Sequence, residues 1–362
     1  MEVKVLDTNF DVVGLVESAD SFYWVDRFNS PGEFEIFTEV SSELINLLQH
    51  DRYLQIPESN KTMIVESLII RPDIEKGNKL IVRGRSLESI LDRRIVWTQT
   101  LIDSDVETGL FEILDDAFIT GVSNPNRILS NFVLVPSYDT GITDLTMQTQ
   151  FDAENILDVV NTVCQNSDIG YKITLNSDLE FEFTMFRGID RSFSQTFFAH
   201  VVFSPKFDNL ANSEFITSKR NYKNNALWVG DESGTSSLVR GVMFTGSGGS
   251  ATGLDRREVY LDQGQYSRFI QGTSTPIDAL DYTAQMQEIS RRSLYNDYPI
   301  YNAFSGNADT THSVVYGTDF FLGDILQIEN EYGMTARTRV VEMIFSEDGS
   351  GIHNYPTFDQ VD

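Results

Sequence analysis

The sequences LQI at residues 54–56 and IVESLI at residues 64–69 form a strand–turn–strand pattern that returns near the other end of the chain. There it reads LQI at residues 326–328 and VVEMIF at residues 340–345. The first strands lie 272 positions apart (326 − 54) and the second strands 276 (341 − 65), so the second copy has the longer loop. β-Hairpins converge on such patterns, so chance is one explanation. A true repeat would mean two small β-barrels, one towards each end of the chain, with α+β insertions between them.

Strand patterns surround both copies. Apolar and polar residues alternate from Val3 to Val16, around the turn at Pro31 and Gly32, and again from residue 314 to residue 346. A short helix is predicted from Ser42 to Gln49, with Ser42 as its N-cap, because its leucines and isoleucine would share one face.

The middle of the chain has helical periodicity instead. Leu110, Ile113, Leu114 and Phe118 recur at helical spacing, and residues 152–165 repeat the pattern. A hairpin is expected at 170–175 and 179–186, and strands return from residue 196. A further helix is predicted with Thr275 as its cap and Pro276 at its first position.

These patterns predict an α+β fold that is predominantly β. The chain has 362 residues, enough for several domains, and its 41% of hydrophobic residues excludes intrinsic disorder. We expect a first β-barrel domain at 1–98 and an α+β insertion domain at 99–196. A second β-barrel domain would combine 197–232 with 300–362, and 233–299 would form a small α+β domain with a loop and a helix.

The chain is strongly acidic. Its 54 Asp and Glu against 27 Lys and Arg give a net charge of −27, which argues against a protein that grips nucleic acid through phosphate contacts. Residues 101–190 hold 16 acidic residues and three basic ones, a balance of −13 (3 − 16). This segment either keeps the protein in solution or forms an acidic surface that something anionic must slide past.

The residue patterns of common active sites are missing. The histidines, His50, His200, His312 and His353, are scattered, and the single Cys164 lies within an apolar helical stripe, which predicts a buried structural thiol. The acidic run at 103–107 lacks the glycine and glutamate of a calcium loop, and the glycine-rich run at 246–253 lacks the Gly-Lys-Ser/Thr of a phosphate loop. We therefore predict no enzyme, no catalytic residue, no cofactor and no metal site.

Membrane insertion is not expected either. The N-terminal sequence has no basic segment followed by an apolar one, and no stretch approaches 18 uninterrupted apolar residues.

Four arginines cluster in this acidic chain. Arg83, Arg85, Arg93 and Arg94 flank one short apolar run, and a guanidinium pairs well with carboxylates. We predict that they lie at an interface between subunits or with a ring protein, rather than in a ligand pocket.

Several blocks of sequence together resemble the tail-tip hub family of long-tailed bacteriophages (siphophages). This family is baseplate-hub-like and includes the N-terminal structural domain of tail-associated lysins. The blocks follow the PGEF turn at 31–34 and come in the same order as in the family. They are 82–94 (VRGRSLESILDRR), 188–192 (GIDRS), 201–204 (VVFS), 208–210 (DNL), 222–224 (YKN), 254–258 (LDRRE), 322–328 (LGDILQI) and 339–342 (RVVE).

The resemblance implies a structural virion protein with two β-barrels per subunit and three subunits in a ring. Such a homotrimer would dock on the hexameric distal tail ring and surround a channel through which DNA is ejected without specific binding. Implied partners are the distal tail ring protein, the tape-measure protein and receptor-binding or lytic tail proteins. The expected location is the tail tip of the virion, after synthesis in the host bacterial cytoplasm.

Two alternatives stay open from the sequence. One is a tail-borne or secreted glycan-active hydrolase, for which so many carboxylates offer pairs that none can be nominated. The other is an interaction module of a prophage-derived particle. Because the longer family members carry lytic or receptor-binding extensions and this sequence stops at Asp362, we expect such activity to belong to another protein.

Overall fold

The computed structural model describes residues 2–72, 77–233, 239–308, 310 and 313–361, and within them the fold is mostly β with some helices. The strands are β1 (Val3–Leu6), β2 (Val12–Val16), β3 (Ser21–Arg27), β4 (Glu33–Glu39), β5 (Tyr53–Gln55), β6 (Met63–Arg71), β7 (Lys79–Ser86), β8 (Thr100–Asp105), β9 (Phe132–Val135), β10 (Thr146–Phe151), β11 (Gly170–Leu175), β12 (Phe181–Phe186), β13 (Val202–Phe203), β14 (Leu210–Ser218), β15 (Asn225–Val229), β16 (Arg240–Phe244), β17 (Glu258–Asp262), β18 (Tyr301–Ala308), β19 (Ile325–Glu329), β20 (Thr335–Asp348) and β21 (Gly351–Gln360). The α-helices are α1 (Ser42–Leu47), α2 (Val106–Leu114), α3 (Thr140–Thr143), α4 (Ile156–Asn166) and α5 (Ala279–Asn296).

One 11-stranded sheet contains strands from both ends of the chain. Its order is β13-β19-β20-β3-β4-β7-β6-β5-β1-β2, and β21 also pairs with β20. The two ends meet where β3 and β20 pair antiparallel, from Phe22 opposite Glu347 to Arg27 opposite Glu342. Among the described strands, β2 and β13 do not pair to close this sheet into a barrel.

Two separate hydrophobic cores pack on this sheet. The first gathers apolar side chains of β1 to β7, including Trp24, Phe34 and Met63, together with Met343 and Phe345 of β20. The second lies around Phe203, Phe320 and Leu326 and includes Val340 of β20. The chain therefore buries a distinct core at each end of one continuous sheet.

The chain repeats a unit of five strands, although β14 and β18 of the second unit form a separate two-stranded sheet and the other strands belong to the 11-stranded sheet. β3, β4, β5, β6 and β7 correspond in chain order to β14, β18, β19, β20 and β21. β6 pairs with β5 and β7, and β20 pairs with β19 and β21. β14 pairs with β18 as β3 pairs with β4, and β18 lies against β21. The repeat is therefore longer than the hairpins in which the sequence indicated it.

Strand register refines the alignment of the repeat. Leu54 lies opposite Met63, and Leu326 lies opposite Thr338. Each long strand also has a β-bulge, at Glu66 in β6 and at Val341 in β20. Both comparisons give an offset of 275 for this strand (338 − 63 and 341 − 66) rather than the 276 taken from side-chain likeness. The sequence alignment is wrong by one residue there, because backbone pairing and not side-chain type sets the register.

The insertion after the first half carries the largest core. α2 and α4 pack their apolar stripes with the two-stranded sheet β8–β10 and the three-stranded sheet β9–β12–β11. Asp105 caps α2 by accepting a hydrogen bond from the Thr108 N–H at 2.8 Å, and Asn155 caps α4 through the Leu157 N–H at 2.8 Å. Cys164 is fully buried in α4, as predicted, and burial raises the pKa of its thiol.

Two predicted helix starts are wrong. α1 is capped by Ser41 and not by Ser42, because the Ser41 hydroxyl accepts from the Leu44 N–H at 3.0 Å. α5 begins three residues after Pro276, since Asp278 caps it, and Pro276 instead bridges to Phe269. In both places a side chain that reaches the free N–H groups of the first turn decides the start.

Candidate assembly surfaces

The four clustered arginines lie on the first repeat unit and the segment that leaves it. Arg83 and Arg85 are on β7, Arg93 ends a 3-10 helix that starts at Leu87, and Arg94 follows it. The first three bind carboxylates of the same chain, listed here with their distances: Arg83 to Glu35 at 2.5 Å, Arg85 to Glu66 at 2.9 Å and Asp92 at 3.0 Å, and Arg93 to Asp51 at 3.2 Å. These ion pairs tie strands of the unit together. The prediction of an interface at these arginines remains a proposal.

The electrostatic surroundings of Arg85 and Arg94 differ. The pKa of Arg85 is raised by its paired hydrogen bonds to Glu66, against the opposite effect of burial. The pKa of Arg94 is lowered by burial and by the charges of Arg127 and Arg93. Its guanidinium donates to the carbonyls of Arg93 and Arg127, and its Nε has no hydrogen-bond partner among the described residues. Arg94 therefore differs from the other three arginines, because it binds no carboxylate among the described residues and its Nε is buried.

An open groove of about 420 Å³ lies on the face of the sheet, across β4, β7 and β6. Arg83, Arg85, Glu35 and Glu66 line it, so its charges are already paired across the strands. Such a shallow, ion-paired groove suits contact with another protein better than enclosure of a small ligand.

Sequence blocks that are far apart meet in the structure. Gly188 passes so close to Gly323 that a Cβ atom on Gly188 would lie 1.9 Å from the carbonyl of Gly323. Next to this contact, Asp324 accepts from the Ile189 N–H at 2.7 Å and from Arg191 Nε at 2.8 Å. The GIDRS and LGDILQI blocks therefore form the joint between the insertion and the second core.

The YKN and LDRRE blocks meet in the same way. Asn224 accepts from the Arg257 N–H at 2.9 Å and donates to the Asp255 carbonyl at 2.8 Å. The Arg257 guanidinium lies 5.9 Å from the ring centroid of Tyr222. The blocks that carry the family resemblance thus hold the chain together, and none of these contacts forms a ligand cavity.

A loop at 193–198 holds three phenylalanines towards solvent, and Phe197 is 92% exposed. The Gln195 side chain fastens this loop. Its Oε1 accepts from the N–H groups of Phe197 and Phe198 at 2.7 and 2.8 Å, and its Nε2 donates to the Phe198 carbonyl at 3.1 Å. Exposed aromatic side chains on an ordered loop are typical of protein contact surfaces. Sequence reasoning missed this loop, because it predicted strands from residue 196, whereas β13 begins at Val202.

Part of the acidic segment has structural roles. Asp105 and Asp139 cap helices, Asp116 binds Arg127 at 3.1 Å, and Asp168 binds Arg339. Glu154 lies near other acids, and burial followed by the charges of Asp152 and Asp158 raises its pKa. These acidic residues therefore have roles within the chain itself.

No cluster of metal-ligating side chains exists among the described residues, and His312 lies outside them. The same described residues contain no helix with the length and apolar character needed to cross a membrane.

The fold is that of phage tail proteins. It is similar to prophage MuSo2 43 kDa tail protein from Shewanella oneidensis, with 10% identity, a TM-score of 0.58 and coverage of 99% of this chain and 98% of that chain. It is also similar to the tail protein from Neisseria meningitidis MC58, with 12% identity, a TM-score of 0.55 and coverage of 99% and 96%. Prophage tail protein gp18 from Listeria monocytogenes EGD-e shares 12% identity with a TM-score of 0.54, over 100% of this chain and 95% of that one.

The sequence family is defined as well. Residues 2–355 match the family described as Siphovirus ReqiPepy6 Gp37-like protein, and the chain belongs to it. No curated protein matches the sequence. The resemblance to siphophage tail proteins is thereby confirmed, and the chain is classed as a structural phage tail protein.

Proposed function

We propose that the chain forms the trimeric hub of a phage tail tip or baseplate. The observation that carries this proposal is the repeated five-strand unit, present twice in each chain. Three copies would present six similar units, so a trimer could dock on a hexameric tail ring with matched contacts. The two hydrophobic cores support the finer proposal that each unit is the main part of a small β-barrel.

The proposed domain division follows the hydrophobic cores in part. The first barrel domain would occupy 1–98, the insertion 99–196, the second barrel 197–232 with 300–362, and the small domain 233–299. Clusters around Phe203 and Trp228 support this division. The Val160 cluster also contains Leu87 and Leu91 of the first domain, and the Trp24 cluster contains Met343 of β20, so these two cores cross the proposed boundaries.

In this proposal the hub surrounds the channel for DNA ejection at the tail tip of the virion, after synthesis in the host cytoplasm. Exposed carboxylates on the channel wall would repel phosphates over roughly 8 Å at physiological ionic strength, so DNA would pass without being held. The distal tail ring, the tape-measure protein and receptor-binding or lytic tail proteins are the proposed partners. The aromatic loop at 193–198 offers a surface for one of them.

The proposed role is structural and not enzymatic, and one experiment tests it against a glycan-active hydrolase. With a chain mass of 41.0 kDa, light scattering of the purified protein is expected to give about three chain masses. The same sample is expected to release no fragments from bacterial cell wall. A stable monomer at micromolar concentration, or turnover of cell wall, would contradict the proposal.

Charge reversal at the arginine cluster tests the proposed interface. Arg93→Glu with Arg94→Glu is expected to lower the trimer fraction at micromolar concentration at least tenfold, since it places acids where carboxylates of a neighbour would bind. The change at Arg93 should by itself alter the thermal midpoint of unfolding little, because the Arg93–Asp51 ion pair is exposed and such pairs contribute about 0–1 kcal/mol. Lys206→Glu with Arg240→Glu makes the same change in net charge at exposed sites and should leave the mass unchanged. An unaltered trimer in the first variant would mean that the cluster only ties the chain internally.

A further inference from the structure

The joint between β3 and β20 has a counterpart in the repeat. In that correspondence β6 takes the place of β20, and β14 takes the place of β3. With the offset of 275, the paired residues 342–347 of β20 correspond to residues 67–72, which include the second half of β6. A strand that corresponds to β3 would therefore pair with β6 from Ser67 to Arg71.

Within the described chain this half of β6 is an edge. β5 pairs with Met63 and Ile64, and the backbone of residues 51 and 52 reaches no further than Val65. From Ser67 to Arg71, β6 pairs with β7 on one side and with no described strand on the other. β14 is also an edge strand, because β18 is its single strand neighbour among the described residues.

Side chains at corresponding positions of β20 and β6 differ in burial. The difference is the one expected if β20 has a neighbouring strand that β6 lacks within the chain. Phe345 of β20, next to β3, is 2% exposed, whereas Ile70 at the corresponding position of β6 is 52% exposed. Met343 is buried and its counterpart Leu68 only half-buried. An edge that carries leucine and isoleucine is a template for pairing with another chain, and native proteins usually cover such edges.

We propose that β14 of a neighbouring copy pairs antiparallel with Ser67–Arg71 of β6, as β3 pairs with β20 within each chain. This inference rests on the trimer proposed above. The β6 edge of one copy meets a different surface of the next, which is the kind of contact that closes a ring. Three joints within chains and three between chains would then give six similar joints around the ring.

Charge favours this neighbour. Arg27 ends β3 and binds Glu342 of β20 at 2.7 Å. Lys219 and Arg220 directly follow β14, and their side chains form no ion pair with the described residues. Glu66 directly precedes the edge of β6 and binds Arg85 of β7 at 2.9 Å, so Lys219 and Arg220 would share this carboxylate with Arg85. Pairing β14 with this edge would bring cations next to a carboxylate, as at the joint within the chain.

The register of the joint can be read from the first unit. Val25 forms the last pair with β4 and lies opposite Ile344. Ser218 forms the corresponding last pair of β14 with β18. Ser218 should therefore face residue 69 (344 − 275), and Thr217 should face Ile70.

Engineered cysteines test this joint. Ile70→Cys is combined in turn with Ile216→Cys, Thr217→Cys or Ser218→Cys, which covers one residue on each side of the expected register. Cys164 is buried and should not react. On oxidation, or with a short bis-maleimide, at least one combination is expected to give covalent dimers and trimers on a denaturing gel, most strongly with Thr217→Cys.

A control cysteine pair and the mass of the native protein distinguish a wrong joint from a wrong oligomeric state. Ile70→Cys with Ile352→Cys, at an exposed position beside the β20–β21 turn, should remain a single chain on the gel. A native trimer in which none of the three combinations links would overturn the β6–β14 joint and leave the hub proposal standing. A native monomer would overturn the trimer, and the joint with it.

Discussion

Replacing Lys61 by methionine is expected to lower the free energy of unfolding of the first core by about 3–5 kcal/mol. Lys61 Nζ lies 2.5 Å from Glu88 Oε1, and the two side chains are only 6% and 0% exposed. Without Lys61 the Glu88 carboxylate would be a buried charge with no counterion. Burial also raises the pKa of the nearby Asp26, and the charge of Lys61 opposes this effect. Removing Lys61 is therefore expected to raise the pKa of Asp26 further.

Denaturant unfolding followed by tryptophan fluorescence measures this change, since Trp24 lies in the first core and donates to Asp26 at 2.9 Å. Lys61→Met combined with Glu88→Gln is the matched control. It removes both charges and keeps an oxygen that can accept from the Ile173 N–H, as Glu88 does at 3.3 Å. The double variant is therefore expected to recover most of the loss. A loss below about 1 kcal/mol in the single variant would mean that water reaches this pair.

Adding one methyl group at Gly188 is expected to destabilise the joint between the insertion and the second core by about 3 kcal/mol or more. The new Cβ in Gly188→Ala would lie 1.9 Å from the carbonyl carbon and oxygen of Gly323 and 2.3 Å from the Asp324 nitrogen. These are backbone atoms, which no side-chain rotation can move away. The two segments must separate, and the hydrogen bonds of Asp324 to Ile189 and Arg191 would weaken with them.

Calorimetry compares this variant with Gly349→Ala, where an added Cβ has no neighbour within 4 Å. The control is expected to stay within about 0.5 kcal/mol of the parent. Equal melting temperatures for the two variants would show that the backbone at Gly188 can move away from Gly323 without loss of stability. Loss of the trimer in Gly188→Ala at temperatures where the fold persists would instead connect this joint to assembly.

Local chemistry accounts for what the sequence predicts correctly. α2 and α4 follow from helical spacing of apolar residues, and Asp105 supplies the cap within reach of its own helix. The start of α5 was misjudged because Pro276 fits a first turn as well as Asp278 fits a cap, and only the backbone decides between them. The hairpins of the repeat were also visible, since strand alternation is a local property.

Long-range pairing could not be predicted in the same way. Arg27 binds Glu33 close by in sequence, but nothing near it indicates that its second carboxylate partner is Glu342, 315 residues further along. The partners of Arg83 and Arg85 depend on which strands flank β7, and a strand carries no signal for its neighbour beyond the turn that leads to it. The loop at 193–198 escaped notice because the Gln195 amide replaces strand pairing with hydrogen bonds that no pattern of hydrophobicity reveals.

The pairing of β3 with β20 has a consequence for how the protein is made. The first core contains Met343 and Phe345 of β20. The early strands of this core are therefore synthesised long before the last residues that pack with them. At about 5–20 residues per second, the 315 residues between Arg27 and Glu342 correspond to roughly 15–60 s of translation. An incomplete nascent chain lacks this strand and cannot finish its first core. A chain that ends before residue 343 would lack both side chains, so we expect its first core to stay incomplete until translation has passed this strand.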